Sequence, residues 1–263
     1  MASLHASTTH FMPARTSLRR IGAGDLREAL RKGLADFGAM PTHVLFLVAI
    51  YPIAGALIAA GTFGNGLIPL LFPLASGFAL LGPFAAIGLY EMSRRREQGL
   101  DAPWTRAYAP LTGRSAKAVA VVGIVLALIF LAWLVAAMGL YWALYGNTPQ
   151  DSVWSFLHTV LTTPRGWALI LAGNVVGAAF SLIALAISAV SFPMIIDRGA
   201  DAGTAIETSV ALVRENPRTM VVWGLVVAGA LVVGMLPLFI GLALVLPILG
   251  HATWHLYRRA VAP

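Results

Sequence analysis

The sequence contains six uncharged, apolar stretches with lengths close to those of membrane-spanning helices. A helix needs about 20 apolar residues to cross roughly 30 Å of hydrocarbon. The apolar runs are continuous, whereas the strands of a membrane barrel are short and alternate between apolar and polar residues. The pattern therefore predicts an all-α, polytopic membrane helix bundle with six transmembrane helices, at positions 44–60, 67–90, 118–145, 167–196, 219–235 and 236–257.

The overall composition agrees with this prediction. Of the 263 residues, 59% are hydrophobic and 11% are charged, whereas an average soluble domain has about 25% charged residues. So few polar side chains would not cover the surface of a soluble globular enzyme. The absence of cysteine excludes disulfides, thiolate metal sites and a cysteine nucleophile.

The distribution of basic residues predicts how the chain is oriented. Of the 18 Lys and Arg residues, all but Arg165 fall on one side of the six predicted spans. Because basic residues concentrate in cytoplasmic segments, we expect a multi-pass topology with both termini in the cytoplasm. The net charge of +7 then reflects membrane topology and not a nucleic-acid partner.

The chain also shows signs of an internal repeat. Amphipathic segments open at Asp25, Asp101 and Asp201, and each precedes a pair of predicted spans. We therefore predict three parallel units, each consisting of a cytoplasmic amphipathic helix and two spans, at about 24–95, 99–198 and 199–259. Residues 1–23 are predicted to be a disordered cytoplasmic tail, and residues 24–263 a single six-span domain.

The predicted spans contain no Asp, Glu, Lys or Arg, and no nucleophile–base pair or phosphate-binding loop is present. Charges within a membrane usually mark ion pathways and proton relays, so their absence argues against a proton-coupled pump. Asn174, Ser181 and Ser188 either line a path for a neutral or lipidic solute or form hydrogen bonds between packed helices. No catalytic residues are predicted.

Two groups of polar residues lie at the predicted cytoplasmic ends of the spans. His251 and His255 share one helix face, with His43 at the same level, so they either hold a haem or a divalent metal or take an interfacial role. No specific metal ligands are assigned. Basic residues follow the second and sixth spans and either bind anionic lipid headgroups or serve only as topology signals: Arg94, Arg95, Arg96, Arg258 and Arg259.

Several motifs resemble those of one family. They lie at 72–83, 88–91, 161–164, 191–193, 197–198 and 246–258. The sequence is similar, over about positions 19–260, to an uncharacterised bacterial family of predicted integral membrane proteins, domain of unknown function 2189. Some members carry a label as cytochrome c oxidase components. The resemblance implies no established activity and is compatible with an accessory subunit.

These observations favour a non-enzymatic integral membrane protein, an accessory or assembly component of a larger inner-membrane complex such as a respiratory or photosynthetic one. The expected partners are anionic membrane lipids and other membrane subunits, with no nucleic acid and no cofactor. Two alternatives remain at this point. One is a channel or transporter for a neutral or lipidic solute, and the other is a metal- or haem-binding redox component that uses His251 and His255.

Overall fold

The computed structural model describes residues 17–40, 55, 68–146, 152–236 and 241–262. Across these residues the regular elements are helices, and the one β contact is an isolated antiparallel bridge between Leu18 and Val261. Four helical segments are long and apolar enough to cross a membrane, at Ile68–Glu97, Ala116–Tyr145, Pro164–Arg198 and Pro217–Met235. They match the second to fifth predicted spans and confirm an all-helical protein with several membrane-spanning helices.

The two remaining predicted spans are less completely covered. The span at 44–60 lies outside the described residues except for Gly55. The predicted span at 236–257 overlaps a helix at Leu242–Ala260, which is less apolar because its second half carries two histidines and two arginines. The six-span count therefore stays a prediction, as does the division into three units.

The N-terminal part of the described chain begins with α1 (Ala23–Ala39). The second predicted span is then built from short pieces in place of one straight helix: a 3-10 turn at Ile68–Leu70, α2 (Leu71–Phe78), a second 3-10 turn at Ala79–Leu81, α3 (Gly82–Ala85) and α4 (Ile87–Glu97). Pro83 lies in the first turn of α3 and has no backbone N–H that could donate a hydrogen bond to a carbonyl of the preceding turn. Pro83 therefore accompanies the break between α2 and α3.

The middle amphipathic segment is not the surface helix that the repeat pattern predicts. It contains a 3-10 turn at Trp104–Arg106 and the four-residue helix α5 (Ala109–Thr112). Pro110 occupies the first turn of α5 and prevents the preceding residues from continuing as one helix. The first and third amphipathic segments do form longer helices, α1 and α10 (Ala202–Glu215).

Three long helices form most of the membrane-spanning region. They are α6 (Ala116–Tyr145), α8 (Pro164–Ser188) and α11 (Pro217–Met235), and the ten-residue helix α7 (Val153–Thr162) joins the first two. Ser152 and Thr163 cap α7 and α8 by accepting hydrogen bonds from backbone N–H groups. Many apolar side chains on the long helices are exposed, which is typical of lipid-facing surfaces.

The fourth predicted span is broken near its end. The helix α8 stops at Ser188, and α9 (Ser191–Arg198) begins after a turn at Ala189 and Val190. Pro193 explains the break, because a proline ring clashes with the carbonyl group four residues earlier. The Ser191 hydroxyl donates to the carbonyl of Ala205 at 3.1 Å, so α9 is attached to α10.

Both ends of the described chain meet at one end of the bundle, against α12 (Leu242–Ala260). The Arg19 amide donates to the Ala260 carbonyl at 2.8 Å, and the Ala262 amide donates to the Ser17 carbonyl at 3.0 Å. The Ile21 amide donates to the side chain of Asn216 at 2.9 Å. Residues 17–22, the last part of the predicted disordered tail, are therefore attached to α11 and α12.

Candidate functional site: a basic layer at one end of the bundle

Asp36, near the end of α1, is the centre of a polar cluster that joins three helices. Its side chain is almost fully buried. The hydroxyl of Ser93 on α4 donates to Asp36 Oδ2 at 2.5 Å, and Nε2 of His255 on α12 lies 2.8 Å from the same oxygen. The guanidinium of Arg96 pairs with the other carboxylate oxygen. One carboxylate thus connects helices from distant parts of the sequence.

The electrostatic environment keeps Asp36 ionised. Burial by itself raises the pKa of a carboxyl group, because the charged form loses its hydration. Here the hydrogen bonds from His255, Ser93 and Arg96, together with the charge of His255, outweigh burial and lower the pKa of Asp36 to about 2. At neutral pH the cluster therefore contains a buried carboxylate anion.

The predicted histidine pair belongs to the same cluster. Nδ1 of His251 lies 2.7 Å from the Ser93 hydroxyl and 4.0 Å from Asp36 Oδ2. His43 lies outside the described residues. Among the residues that the structure describes, no group of three or more histidine or carboxylate side chains has the arrangement of a metal site. A haem or metal role for the histidines stays a prediction.

A second polar cluster fixes the end of α12 to α4 and α9. The indole of Trp254 donates to Glu97 at 3.0 Å, and Arg258 Nε donates to the same carboxylate at 3.1 Å. Arg258 also reaches Asp197 at 3.2 Å, where the hydroxyl of Tyr257 donates at 2.7 Å. We call the two clusters, with α1 and residues 17–22 and 261–262, the basic layer.

All five arginines predicted to bind lipid headgroups have carboxylate partners within the protein. The shortest distance is below 3.5 Å in every pair except Arg95–Glu91, where it is 3.8 Å. The pairs are Arg94–Glu91, Arg95–Glu91, Arg96–Asp36, Arg258–Glu97 and Arg259–Asp25. Much of the charge of these arginines is therefore compensated within the chain, and their binding to headgroups stays a prediction.

The basic layer contains a cavity of about 680 Å³, open to solvent, between α1, α4, α12 and residues 19–20. Six basic side chains and three carboxylates line this cavity, so it carries three uncompensated positive charges when His255 is neutral. The three carboxylates already pair with Arg96, Arg258 and Arg259. The remaining basic side chains are Arg19, Arg20 and Lys32, and no carboxylate in the described parts of the chain lies within ion-pair distance of them.

Sequence reasoning identified Arg19, Arg20 and Lys32 only as markers of topology. The signal that would have singled them out is the lack of an acidic neighbour at Arg19 and Arg20. Lys32 follows Glu28 at a helical spacing of four, but Glu28 instead accepts two hydrogen bonds from Arg31, at 2.6 and 2.7 Å. The convergence of the three cations depends on the contact between residues 17–22 and α12, which no local pattern predicts.

The three polar residues predicted for a solute path or for helix packing all lie on α8. Asn174 is exposed, and its side-chain amide donates to the Ile170 carbonyl one turn earlier at 2.8 Å. Ser181 is also exposed. Ser188 is buried and donates to the Ala184 carbonyl at 2.6 Å. The two hydrogen bonds found for Asn174 and Ser188 stay within α8, and a solute path stays a prediction.

Comparisons with known proteins agree with the membrane fold. Residues 71–197 match the family model described as "Predicted integral membrane protein (DUF2189)". No curated protein and no solved structure matches the chain. The matched region begins at α2 and ends at Asp197, which lies in the second cluster of the basic layer. The predicted family resemblance is confirmed over residues 71–197, which match the model of the DUF2189 family of predicted integral membrane proteins.

Proposed function

We propose that the protein is a non-enzymatic accessory or assembly component of a larger bacterial inner-membrane complex. The proposal is supported most directly by the presence of two kinds of surface, one apolar and one polar. The long helices α6, α8 and α11 expose apolar side chains, whereas hydrogen-bonded charged groups from several helices meet in the basic layer. In such a protein the apolar helices contact lipid and the spans of neighbouring subunits, and the basic layer contacts polar groups of its partners.

The excess of basic residues supports a cytoplasmic position for the basic layer, with both ends of the chain on that side. Its expected partners are anionic lipid headgroups and polar segments of neighbouring membrane subunits. The interlocked clusters around Asp36 and Glu97 would keep this surface in a fixed shape. A preformed surface binds with a smaller loss of conformational entropy than a flexible one.

The test is purification of the tagged protein in mild detergent at native expression. We expect one or a few membrane subunits to co-purify in a fixed ratio, and we expect a tag on the main partner to recover this protein in return. A similarly tagged, unrelated inner-membrane protein of comparable abundance serves as the control. A monodisperse, lone protein would contradict the proposal, and so would the same partners in the control.

A further inference from the structure

We propose that the cavity in the basic layer binds a phosphate-bearing anion with at least two negative charges. Arg19, Arg20 and Lys32 would be the binding residues. This site does not depend on the accessory role proposed above. A protein that acts alone could use the same cavity.

The charge balance of the cavity is the first argument. Each of its three carboxylates already has an arginine partner, and among the described residues no carboxylate forms an ion pair with Arg19, Arg20 or Lys32. On a convex surface, water and salt would screen such charges. In a concave site the low-dielectric walls focus the field of several like charges and raise the local concentration of counter-ions.

The fixed position of the backbone that carries the cations is the second argument. The backbone of Arg19 is held on both sides, because its amide donates to Ala260 at 2.8 Å and its carbonyl accepts from Asn216 at 3.4 Å. Lys32 projects from α1, which the cluster around Asp36 attaches to α4 and α12. The two backbone segments that carry the cations are thus held beside one cavity before any ligand arrives, which reduces the entropic cost of binding.

The chemistry of the cations indicates the ligand class. Arginine guanidinium groups present planar pairs of N–H donors that match phosphate oxygens, and lysine adds a mobile point charge. Three uncompensated positive charges are best neutralised by a phosphate monoester, a diphosphate or two neighbouring phosphodiesters. The volume of about 680 Å³ lies within the range of small-molecule sites. Such a phosphate could belong to a lipid headgroup or to a soluble compound.

The experiment compares two triple variants that lose the same charge. The cavity variant is Arg19→Gln/Arg20→Gln/Lys32→Gln. The control variant is Arg27→Gln/Arg114→Gln/Arg214→Gln, because these three side chains are exposed and do not line the cavity. Binding of inorganic pyrophosphate is measured by calorimetry on the purified full-length protein in lipid-free detergent. Binding to lipid is measured with phosphatidylcholine vesicles with and without phosphatidic acid, at about 150 mM salt to screen exposed charges.

We expect wild type to bind saturably in at least one of the two assays. The cavity variant should bind at least tenfold more weakly, which is roughly the loss of one charge-assisted hydrogen bond, and the control variant should stay close to wild type. Binding to pyrophosphate alone would identify a soluble ligand, and preference for phosphatidic acid alone would identify a lipid headgroup; both outcomes support the site. No saturable binding in either assay would overturn it, and so would equal losses in the two variants.

Discussion

The Asp36→Ala variant is expected to lose about 3 kcal/mol of unfolding free energy, because removing one partner of a buried ion pair leaves the others without compensation. Asp36 is 4% exposed and bonds to Ser93, His255 and Arg96. Removal of one partner of a buried ion pair usually costs about 3–5 kcal/mol. We take the low end of this range because the Arg96 side chain is 41% exposed and can be hydrated. The free energy is measured by chemical unfolding in mild detergent.

A control for this variant is Glu28→Ala, which removes an ion pair from the exposed part of the same helix. We expect no measurable change in the unfolding free energy, because the charges of an exposed ion pair are hydrated and screened by salt in both the folded and the unfolded protein. If Asp36→Ala were as stable as Glu28→Ala, the cluster around Asp36 would not fix α1 to the bundle.

The stabilisation by Asp36 should also depend on pH in the acidic range. The pKa of Asp36 is about 2 in the folded protein, against an ordinary value of 3.8. A carboxyl with a lowered folded pKa stabilises the protein above its unfolded pKa and loses that contribution as the pH falls through the folded value. The difference in unfolding midpoint between wild type and Asp36→Asn should therefore narrow from pH 4 to pH 2, and a constant difference would contradict the assignment.

The second large effect is expected for Gly33→Ala, at the point where α1 lies closest to α12. A Cβ atom at Gly33 would lie 2.6 Å from the backbone nitrogen of Ala252, a contact that only a shift of one helix can relieve. Overpacking of this kind costs about 1–3 kcal/mol. We expect a loss of about 2 kcal/mol in the same unfolding assay, with α1 displaced from α12.

The matched control is Gly38→Ala, in the same helix, where an added Cβ has no atom within 4 Å. Alanine favours helix over glycine, so this variant should be as stable as wild type or slightly more so. Equal losses at the two positions would show that the effect comes from the backbone of α1 itself. Close packing against α12 would then be unimportant.

The membrane-spanning helices could be predicted from sequence because hydrocarbon imposes a simple rule on length and polarity. The runs at 118–145 and 219–235 correspond closely to α6 and α11. The breaks within spans were harder to locate, because a proline either ends a helix or bends it, depending on what packs beside it. Pro193 accompanies a break after α8, whereas Pro247 lies inside the continuous helix α12.

The start of α1 lies near Asp25, where the first amphipathic segment was predicted to open, but its capping differs from what the local sequence favours. Asp25 followed three residues later by Glu28 is a pattern typical of a capping box with Asp25 as its first member. In the structure Gly22 precedes α1, and Asp25 accepts from its amide at 2.9 Å, while Glu28 bonds to Arg31. The helix starts three residues earlier than a cap at Asp25 would give, so Ala23, Gly24 and Asp25 itself belong to α1.

The basic layer could not be predicted from sequence. Its central contact joins Asp36 to Ser93 and His255, which lie 57 and 219 residues away along the chain. The sequence did place the two histidines on one face of a helix near basic residues. It offered no reason to pair them with one aspartate of α1, because such a pairing depends on how three helices pack.

We propose that the basic layer lies on the cytoplasmic side of the membrane and that α7, which joins the third and fourth predicted spans, lies on the opposite side. The chain has no native cysteine, so single cysteines report their location directly. We would place them at two exposed positions, Arg27→Cys on α1 and Ser155→Cys on α7, and label them with a membrane-impermeant maleimide. Arg27→Cys should react only in inverted vesicles and Ser155→Cys only in right-side-out ones. Labelling of both from one side, or of Arg27→Cys from outside, would contradict the claim.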